Sequence, residues 1–440
     1  MNKKENKISK EIKINKKLAR RNYSNQTGIT LIALVVTIVV LLILAGVSIN
    51  ALFGDSGIIN KAKDAQNKMD QAVENDQKGI NELSNWLDSK TNGSTGEDAN
   101  PSTTPKISTL VGKVVDKNTK AEDTYGNKIT IPKGFKVVAH GTVAGSATYT
   151  YSGDNIPAVQ DGIVIENGTD GNQFVWVPAG TIKNKNNTTN TITLGRYEFD
   201  SSTGALKSTT PVQVASVENC TKVVTISRND EDYQELSSSR EGNTATDSTA
   251  QNATARNLEE FISTTLANGG YYIARFEASG TASKITSKYN QTVLGNITQP
   301  NAAKAAREMY GEIKENNKLV YASDLVNSYA WDTAIIFIQT YSGKTDYASH
   351  NESKTTKAFT ATGKNNDKYC NIWDMSGNAL EWTTEYSTKS SDSSFFPCAG
   401  RGGYYSTVSG NAIYYTSYRY CNLTTSSISI VGLRPLLYVK

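Results

Sequence analysis

The longest apolar run lies near the N-terminus, from Gly28 to Phe53, and contains no ionisable side chain. A helix rises 1.5 Å per residue, so about 20 such residues cross a hydrocarbon layer of roughly 30 Å. Residues 1–28 carry nine Lys/Arg and only two acidic residues. A cleaved secretory signal has a shorter apolar core of about 7–15 residues, which disfavours that alternative. The pattern predicts one transmembrane helix with a cytoplasmic N-terminus and an extracellular C-terminal domain.

A second helical pattern runs from Ile58 to Leu87, where apolar side chains recur at i, i+3 and i+4. It fits either an amphipathic stalk that packs on the next domain or a subunit-contact helix of a pilus-like assembly. Residues 89–106 are rich in Ser, Thr, Gly and Pro and have no apolar periodicity. Such a composition is typical of a flexible linker.

Beyond the linker, short runs of alternating apolar and polar residues are divided by Gly and Asn, which indicates strands joined by turns. Helical periodicity returns at 258–267 and at 328–342, whereas the polar tract 237–257 predicts a surface loop. The predicted fold class is therefore α+β, with a long N-terminal transmembrane and stalk helix followed by a β-rich region and a larger mixed domain.

Charge and histidine content exclude several function classes. The net charge is +4 over 440 residues, and the chain beyond the basic leader is slightly acidic. A nucleic-acid partner is therefore not expected, since no basic face is left to follow phosphates. His140 and His350 are the only histidines in the sequence. Histidine-based triads and His-rich metal sites are consequently not predicted.

The cysteines are Cys220, Cys370, Cys398 and Cys421, and they form no CxxC pair. Zinc knuckles are therefore not expected. In an oxidising compartment the last three could form a disulfide in some pairing. The sequence leaves open which pairing that is, or whether the thiols stay free.

The leader and the start of the apolar helix resemble those of type IV pilins and pseudopilins. Prepilin peptidase cuts these proteins after a Gly that precedes the helix, so the resemblance implies a leader at 1–28, a cut between Gly28 and Ile29, and a transmembrane and stalk helix at 29–88. The fifth mature position, usually Glu, is Ala33, which favours a minor pseudopilin or a simple anchor over a major pilin. Implied partners are the membrane, prepilin peptidase and pilus or secretion-system subunits.

Six segments, in order, resemble the formylglycine-generating-enzyme or sulfatase-modifying-factor family, whose fold is a variant of the C-type-lectin fold. They are FVWVPAGTI, GGYYIARFEAS, VNSYAWDTAIIFIQTYS, NIWDMSGNALEWTTEYS, GRGGYY and VGLRPLL. The resemblance implies a lectin-like domain at 173–440. Residues 107–172 then form a small β-rich subdomain before it.

Two carboxylates, Asp374 and Glu381, flank a Gly-Asn turn. Hard oxygen ligands of this kind suit Ca²⁺. The family resemblance implies calcium as a cofactor, held by these two side chains and by the carbonyls of Gly377 and Ala379. The alternative is a tight hydrogen-bonded turn in which Glu381 accepts from backbone amides and Trp382 fills the core.

Oxidase members of that family hold copper with two cysteines separated by four residues. Here only Cys421 is present, and Thr416 or its neighbour stands at the position of the partner thiol. One thiolate does not supply the paired soft ligation that copper(I) favours. Copper and a catalytic residue are therefore not expected, and Cys421 is interpreted as a buried structural cysteine.

Residues 404–429 are dominated by Tyr, Ser, Thr and Asn, a composition typical of recognition surfaces. In lectin-like relatives diversified by retroelements, this position holds the variable ligand-binding residues. Ordinary polar strands are the alternative interpretation. The predicted ligand-binding residues are Tyr404, Tyr405, Tyr414, Tyr415, Tyr418, Arg419 and Asn422.

Together these patterns predict a pilin-like, membrane-anchored surface protein. Its lectin-like domain would bind an unknown extracellular protein or glycan without catalysis. The alternatives are an exported enzyme of the formylglycine-generating family and a structural minor pseudopilin of a secretion or pilus fibre.

Overall fold

The computed structural model describes residues 35–36, 38–39, 104–138, 157–220, 222–228, 231–235, 253–350, 358–391, 394–405 and 415–440. The chain divides into two compact units, residues 1–99 and residues 100–440. In the first unit the described residues are helical, and about half of each side chain is exposed; they are Val35, Val36, Ile38 and Val39.

The prediction of a long N-terminal transmembrane and stalk helix is corrected by the structure. The described residues form three bounded α-helices: α1 (Leu258–Asn268), α2 (Gln299–Tyr310) and α3 (Ser328–Tyr341). The longest has 14 residues and so extends only about 21 Å. Because no helix in this part of the chain is long and apolar enough to cross a membrane, the predicted single-pass membrane location is corrected as well. The predicted leader, its cleavage site at Gly28 and Ile29, and the linker up to residue 103 lie outside the described residues.

The strands, numbered in chain order, are β1 (Thr119–Glu122), β2 (Lys128–Ile131), β3 (Phe135–Val137), β4 (Val164–Asn167), β5 (Gln173–Pro178), β6 (Gly180–Lys183), β7 (Thr189–Ile192), β8 (Gly195–Arg196), β9 (Gln213–Val214), β10 (Ile226–Arg228), β11 (Glu231–Glu235), β12 (Gly270–Ala274), β13 (Ser279–Thr281), β14 (Lys284–Thr286), β15 (Glu312–Glu315), β16 (Lys318–Leu325), β17 (Lys368–Tyr369), β18 (Ile372–Trp373), β19 (Leu380–Ser387), β20 (Ser390–Ser391), β21 (Ser394–Phe395), β22 (Cys398–Arg401), β23 (Arg419–Asn422), β24 (Val431–Leu433) and β25 (Pro435–Val439).

A seven-stranded antiparallel sheet in the order β15-β16-β25-β12-β5-β4-β3 forms the centre of the second unit. Both faces of this sheet are buried. In β12, Tyr271 and Ile273 enter the core that contains α1 and α3, whereas Tyr272 and Ala274 enter a second core on the other face. Side chains alternate across a strand, so a strand buried on both sides reads as a continuous apolar run. The predicted domain border between residues 172 and 173 lies between β4 and β5, which are neighbours in this sheet.

A second sheet has the order β10-β11-β19-β22-β23, and β24 pairs in parallel with β19. Helix α2 packs against this sheet over a third core that contains Trp382. The Trp382 indole N–H donates to the carbonyl of Ile297 at 2.8 Å, so the buried ring has its polar atom satisfied.

The helices begin where capping residues predict them to begin. Asn257 accepts a hydrogen bond from the backbone of residue 260 before α1, and Asn327 does the same for residue 330 before α3. The sequence-based predictions of these two helices are confirmed. Helix α2, which the periodicity did not predict, starts after Thr298 with Pro300 in its first turn.

Five buried charged side chains join α3 to the second sheet and to β8. They are Asp332 of α3, Glu385 of β19, Arg196 of β8, Arg401 of β22 and Arg419 of β23, and each is at most 2% exposed. Asp332 accepts from Arg401 Nη2 at 2.6 Å and from Arg419 Nη2 at 3.0 Å. Glu385 accepts from Arg196 Nη2 at 2.8 Å and from Arg419 Nε at 3.0 Å. Burial raises the pKa of Glu385, but the three arginines outweigh burial and hold it at about 2.

A further buried carboxylate, Glu235 at the end of β11, binds the first turn of α3. It accepts from the Ser328 amide at 2.8 Å, from Ser328 Oγ at 2.7 Å and from Thr384 Oγ1 at 2.6 Å. These donors favour the carboxylate, but burial dominates and raises the pKa of Glu235 to about 7.

We expect Asp332→Asn to lower the free energy of unfolding by about 3–5 kcal/mol, because it leaves Arg401 and Arg419 in the core without this carboxylate. Urea unfolding followed by tryptophan fluorescence measures the change. Lys207→Ala is the control, since its pair with Glu198 is 46% and 35% exposed and such pairs contribute about 1 kcal/mol or less. Equal losses in the two variants would contradict a structural role for the network.

The raised pKa of Glu235 predicts a pH dependence of stability. The folded state binds this proton more tightly than the unfolded state, so its contribution favours folding most below pH 4.5 and falls as the pH rises to about 7. Glu235→Gln removes this titration. We expect the stability of wild type relative to the variant to fall by up to about 3 kcal/mol across that window. Urea titrations at several pH values measure it, and a constant difference would show that the pKa is not raised.

Candidate functional site

The predicted tyrosines gather at one end of the β22–β23 hairpin. Arg401, the last residue of β22, pairs with Arg419, the first residue of β23, so the segments that follow and precede them emerge at the same end. We call the described set, which is partly exposed, the tyrosine face: Tyr404, Tyr405, Tyr415 and Tyr418. Tyr414 lies outside the described residues.

At one side of the tyrosine face, Arg228 lies over the Tyr418 ring, 4.2 Å from its centroid. A guanidinium at this distance stabilises the ring by a cation–π interaction. Burial raises the pKa of Tyr418, so the phenol is neutral at physiological pH. Tyr415 packs on Gly204, where an added Cβ would lie 2.5 Å from the Tyr415 ring. The positions of both rings are thus set by close packing.

At the other side, an open groove of about 590 Å³ lies beside Tyr405. Four of its side chains are hydroxyls or amides, and none of the described residues that line it is charged at neutral pH. We call it the uncharged groove, and it is lined by Gly280, Gln291, Thr292, Val293, Leu294, Gly295, Asn296, Ala358, Phe359, Tyr405 and Ser429.

Two aromatic rings form one wall of this groove. Phe359 and Tyr405 meet edge to face, with centroids 5.3 Å apart and planes at 89°. Such pairs contribute about 0.5–1.5 kcal/mol beyond their buried area. Gly295 permits the approach of Phe359, since an added Cβ would lie 2.5 Å from its ring. The aromatic wall is therefore a packed part of the structure.

Asn378 connects both aromatic residues to the core. Its Oδ1 accepts from the Thr360 amide at 2.8 Å, and its Nδ2 donates to the Thr360 carbonyl at 3.1 Å, beside Phe359. Its backbone carbonyl accepts from the Tyr405 amide at 2.8 Å. Its Nδ2 also donates to the buried carboxylate of Glu277. Asn378 has a φ of 58°, a left-handed conformation that Asn tolerates better than most residues.

Of the two predicted calcium-binding carboxylates, Asp374 precedes this turn and Glu381 lies just after it in β19, and both side chains already have protein partners. Glu381 accepts from Arg434 Nη2 at 2.6 Å and from Arg434 Nε at 2.8 Å. Asp374 accepts from the Gly363 amide at 2.8 Å and from Asn365 at 3.0 Å. An added cation at Glu381 would compete with the Arg434 guanidinium, so the donor set favours the hydrogen-bonded turn.

The backbone of this turn is also engaged. Gly377 has a φ of 93°, and the Ala379 amide donates to Glu277 Oε1 at 2.9 Å. Burial raises the pKa of Glu381, while Arg434 acts in the opposite direction. In the part of the chain that the structure describes, no group of three or more His, Cys, Asp or Glu could hold a metal ion. The calcium site therefore stays a prediction.

The side chains of two other predicted ligand residues bind partners within the protein. Arg419 is 1% exposed and bound to Asp332 and Glu385, so its guanidinium belongs to the core. Asn422 donates to the Tyr420 hydroxyl at 2.6 Å and accepts from Ser426 Oγ at 2.6 Å. Arg419 therefore anchors the end of β23 that follows Tyr418, whereas Asn422 pairs with Cys398 at the other end of the strand.

The cysteines are free thiols. Cys421 pairs with Ala399 and Cys398 with Asn422, so Cys398 and Cys421 point to opposite faces of the sheet. Burial raises the pKa of Cys421 to about 11 and that of Cys398 to about 12. Both groups are protonated at neutral pH, but only Cys398 is buried, whereas Cys421 is partly exposed.

Sequence reasoning missed most of the uncharged groove. Only Tyr405 among its residues was predicted. The others come from separate segments without strong periodicity or a shared motif, and the missed side chains with polar or aromatic character are Gln291, Thr292, Asn296, Phe359 and Ser429.

We expect Asn378→Gly to lower the free energy of unfolding by about 1–3 kcal/mol, because Glu277 and Thr360 lose a buried hydrogen-bond partner. Glycine keeps the left-handed backbone, whereas Asn378→Ala adds about 1–2 kcal/mol of strain. Urea unfolding of the two variants measures both effects. Equal stability of the alanine and glycine variants would show that the turn relaxes on substitution.

No family model and no curated protein matches the chain. Among solved structures, it is similar to CarF, with a TM-score of 0.28 and 15% identity over 39% of this chain and 87% of that chain. It is similar to Treponema denticola variable protein 1, with a TM-score of 0.26 and 11% identity over 62% of this chain and 97% of that one. It is also similar to a Major Tropism Determinant I1 variant, with a TM-score of 0.27 and 14% identity over 76% and 99%. Similarity at these TM-scores does not establish a function, and the lectin-like fold class stays a prediction.

Proposed function

We propose that this chain is a ligand-binding protein without catalytic activity and that its ligand, a protein or a glycan, contacts the tyrosine face. The observation that carries the proposal is the grouping of four partly exposed tyrosines at one end of the β22–β23 hairpin, next to an open groove. Tyrosine provides a large contact area with few rotatable bonds, so little conformational entropy is lost on binding.

The scaffold below the tyrosine face supports this proposal. Arg401 Nε donates to the Tyr418 carbonyl at 3.1 Å, and Arg401 is itself bound to the buried Asp332. The Tyr405 amide donates to the Asn378 carbonyl. Both segments are thus attached to the core by their backbones, and a surface held in place before binding increases affinity.

The chemistry of the candidate nucleophile supports binding over catalysis. Cys421 is a protonated thiol at neutral pH, because burial raises its pKa. Thr416, five positions earlier in the sequence, is fully buried. A reactive cysteine usually has a lowered pKa and an accessible sulfur. Cys421 is partly buried, and its pKa is raised rather than lowered.

The test uses the full-length chain on an array of purified glycans and folded proteins. We expect Tyr404→Ala/Tyr405→Ala/Tyr415→Ala to weaken the selected interaction by about 30-fold or more, the loss of a hot spot of about 2 kcal/mol. Tyr125→Ala is the matched control, since this partly exposed tyrosine lies in the turn between β1 and β2. The Tyr125→Ala variant should bind the selected ligand with the affinity of wild type.

Thermal unfolding of each variant separates loss of contact from loss of folding. A triple variant that folds and binds like wild type would contradict the proposal. Copper-dependent conversion of a peptide cysteine to formylglycine by the wild-type chain would contradict its non-catalytic part.

A further inference from the structure

The size and openness of the uncharged groove suit a ligand larger than a solvent molecule. Its volume of about 590 Å³ lies within the range of roughly 300–1,000 Å³ that is usual for small-molecule sites. The four polar side chains at its rim are exposed to solvent: Gln291, Thr292, Asn296 and Ser429. A ligand can therefore reach these groups without a rearrangement of the core.

The electrostatics of the groove favour an uncharged ligand. Among the described residues that line it, none carries a carboxylate, ammonium or guanidinium group. The nearby carboxylates Glu277 and Glu381 are fully buried, and Arg434 binds Glu381. A charged group that entered the groove would lose hydration without gaining an ionic partner, which costs free energy. An uncharged polar ligand avoids this cost.

The polar groups favour a ligand that carries hydroxyls. Side-chain amides and hydroxyls both donate and accept hydrogen bonds, as does each hydroxyl of a sugar. The aromatic wall of Phe359 and Tyr405, with Leu294, supplies apolar surface beside these groups. A saccharide ring combines the same two characters, since its C–H face is apolar and its edge carries hydroxyls.

The backbone of the groove does not favour an extended peptide. Peptides that add to a sheet need an exposed strand edge. In the described residues that line the groove, β13 supplies only Gly280. That strand pairs with β14 on one side, and its Ser279 forms a bridge with Val293 on the other. The described residues that line the groove therefore present no strand edge, with its row of unpaired backbone N–H and C=O groups, to a peptide.

We infer that the uncharged groove binds a neutral oligosaccharide, with Phe359 and Tyr405 as the apolar wall and Gln291, Thr292 and Asn296 as hydrogen-bonding groups. This inference rests on the proposed binding function and names the ligand class and its position. It requires no calcium ion, because no cation is needed between an uncharged sugar and amide or hydroxyl side chains.

The experiment screens the full-length chain against neutral hexasaccharides of glucose, galactose, mannose and N-acetylglucosamine in the presence of a chelator. Sulfated and sialylated oligosaccharides and uncharged hexapeptides are included. Isothermal titration calorimetry then measures the affinity of any neutral hexasaccharide that binds. We expect binding that changes less than about twofold between 0.05 and 0.5 M salt, since no charge is screened.

Four variants test where the ligand binds. Tyr405→Ala removes half of the aromatic wall and should weaken binding by about 30-fold or more, as expected for a hot spot. Thr292→Glu puts a charge at the rim and should also weaken it, whereas Tyr405→Phe should bind within about threefold of wild type. Tyr125→Ala changes a partly exposed tyrosine in the turn between β1 and β2, which is not part of the groove lining, and should leave hexasaccharide affinity unchanged. Thermal unfolding confirms that each variant is folded.

The outcomes separate this inference from the proposed function. Binding only of charged oligosaccharides, only of peptides, or of no oligosaccharide overturns the ligand class, while a protein ligand on the tyrosine face keeps the proposed function. Hexasaccharide binding that Tyr405→Ala and Thr292→Glu both leave intact overturns the position of the site. Calcium-dependent binding that the chelator removes overturns the cation-free mode. A chain that binds nothing on either array contradicts the proposed function itself.

Discussion

Two buried carboxylates, Asp332 and Glu385, determine where three arginines and the elements that carry them can lie. Removing one partner of a buried ion pair leaves an uncompensated charge, so every member must be placed together. The carbonyls of Val224 and Tyr233 bind Arg196 as well, which compensates for the excess of guanidinium groups over carboxylates. Helix α3, β8 and the second sheet therefore form one arrangement rather than separately stable layers.

The candidate site depends on this constraint. Arg401 contacts Asp332 in the core and the Tyr418 carbonyl at the surface, so the network holds one segment of the tyrosine face. Asn378 holds the other segment of the tyrosine face, because its carbonyl accepts from the Tyr405 amide. It also binds the loop segment around Thr360. A binding surface held from two sides loses little entropy when a ligand orders it further.

The turn around Asn378 shows how one motif supports two interpretations. Its oxygen-rich sequence suits a cation, and it also suits a hydrogen-bonded scaffold. The position of Arg434, 53 residues after Glu381, favours the scaffold because the guanidinium supplies the positive charge. The same turn also positions the aromatic wall of the groove, through its bonds to Thr360 and to the Tyr405 amide.

The sequence by itself determined features that depend on neighbours a few residues away. Apolar periodicity predicted α1 and α3, and composition predicted a tyrosine-rich recognition segment at residues 404–429. A local signal for α2 is also present in the capping residue Thr298 and in Pro300 of the first turn. Tertiary structure alone decided that Arg419 is a core residue, because its partner Asp332 is 87 residues away. It also decided where the groove forms, because Phe359 and Tyr405 meet only in the folded chain. Contacts between such distant residues leave no periodicity or characteristic spacing in the sequence.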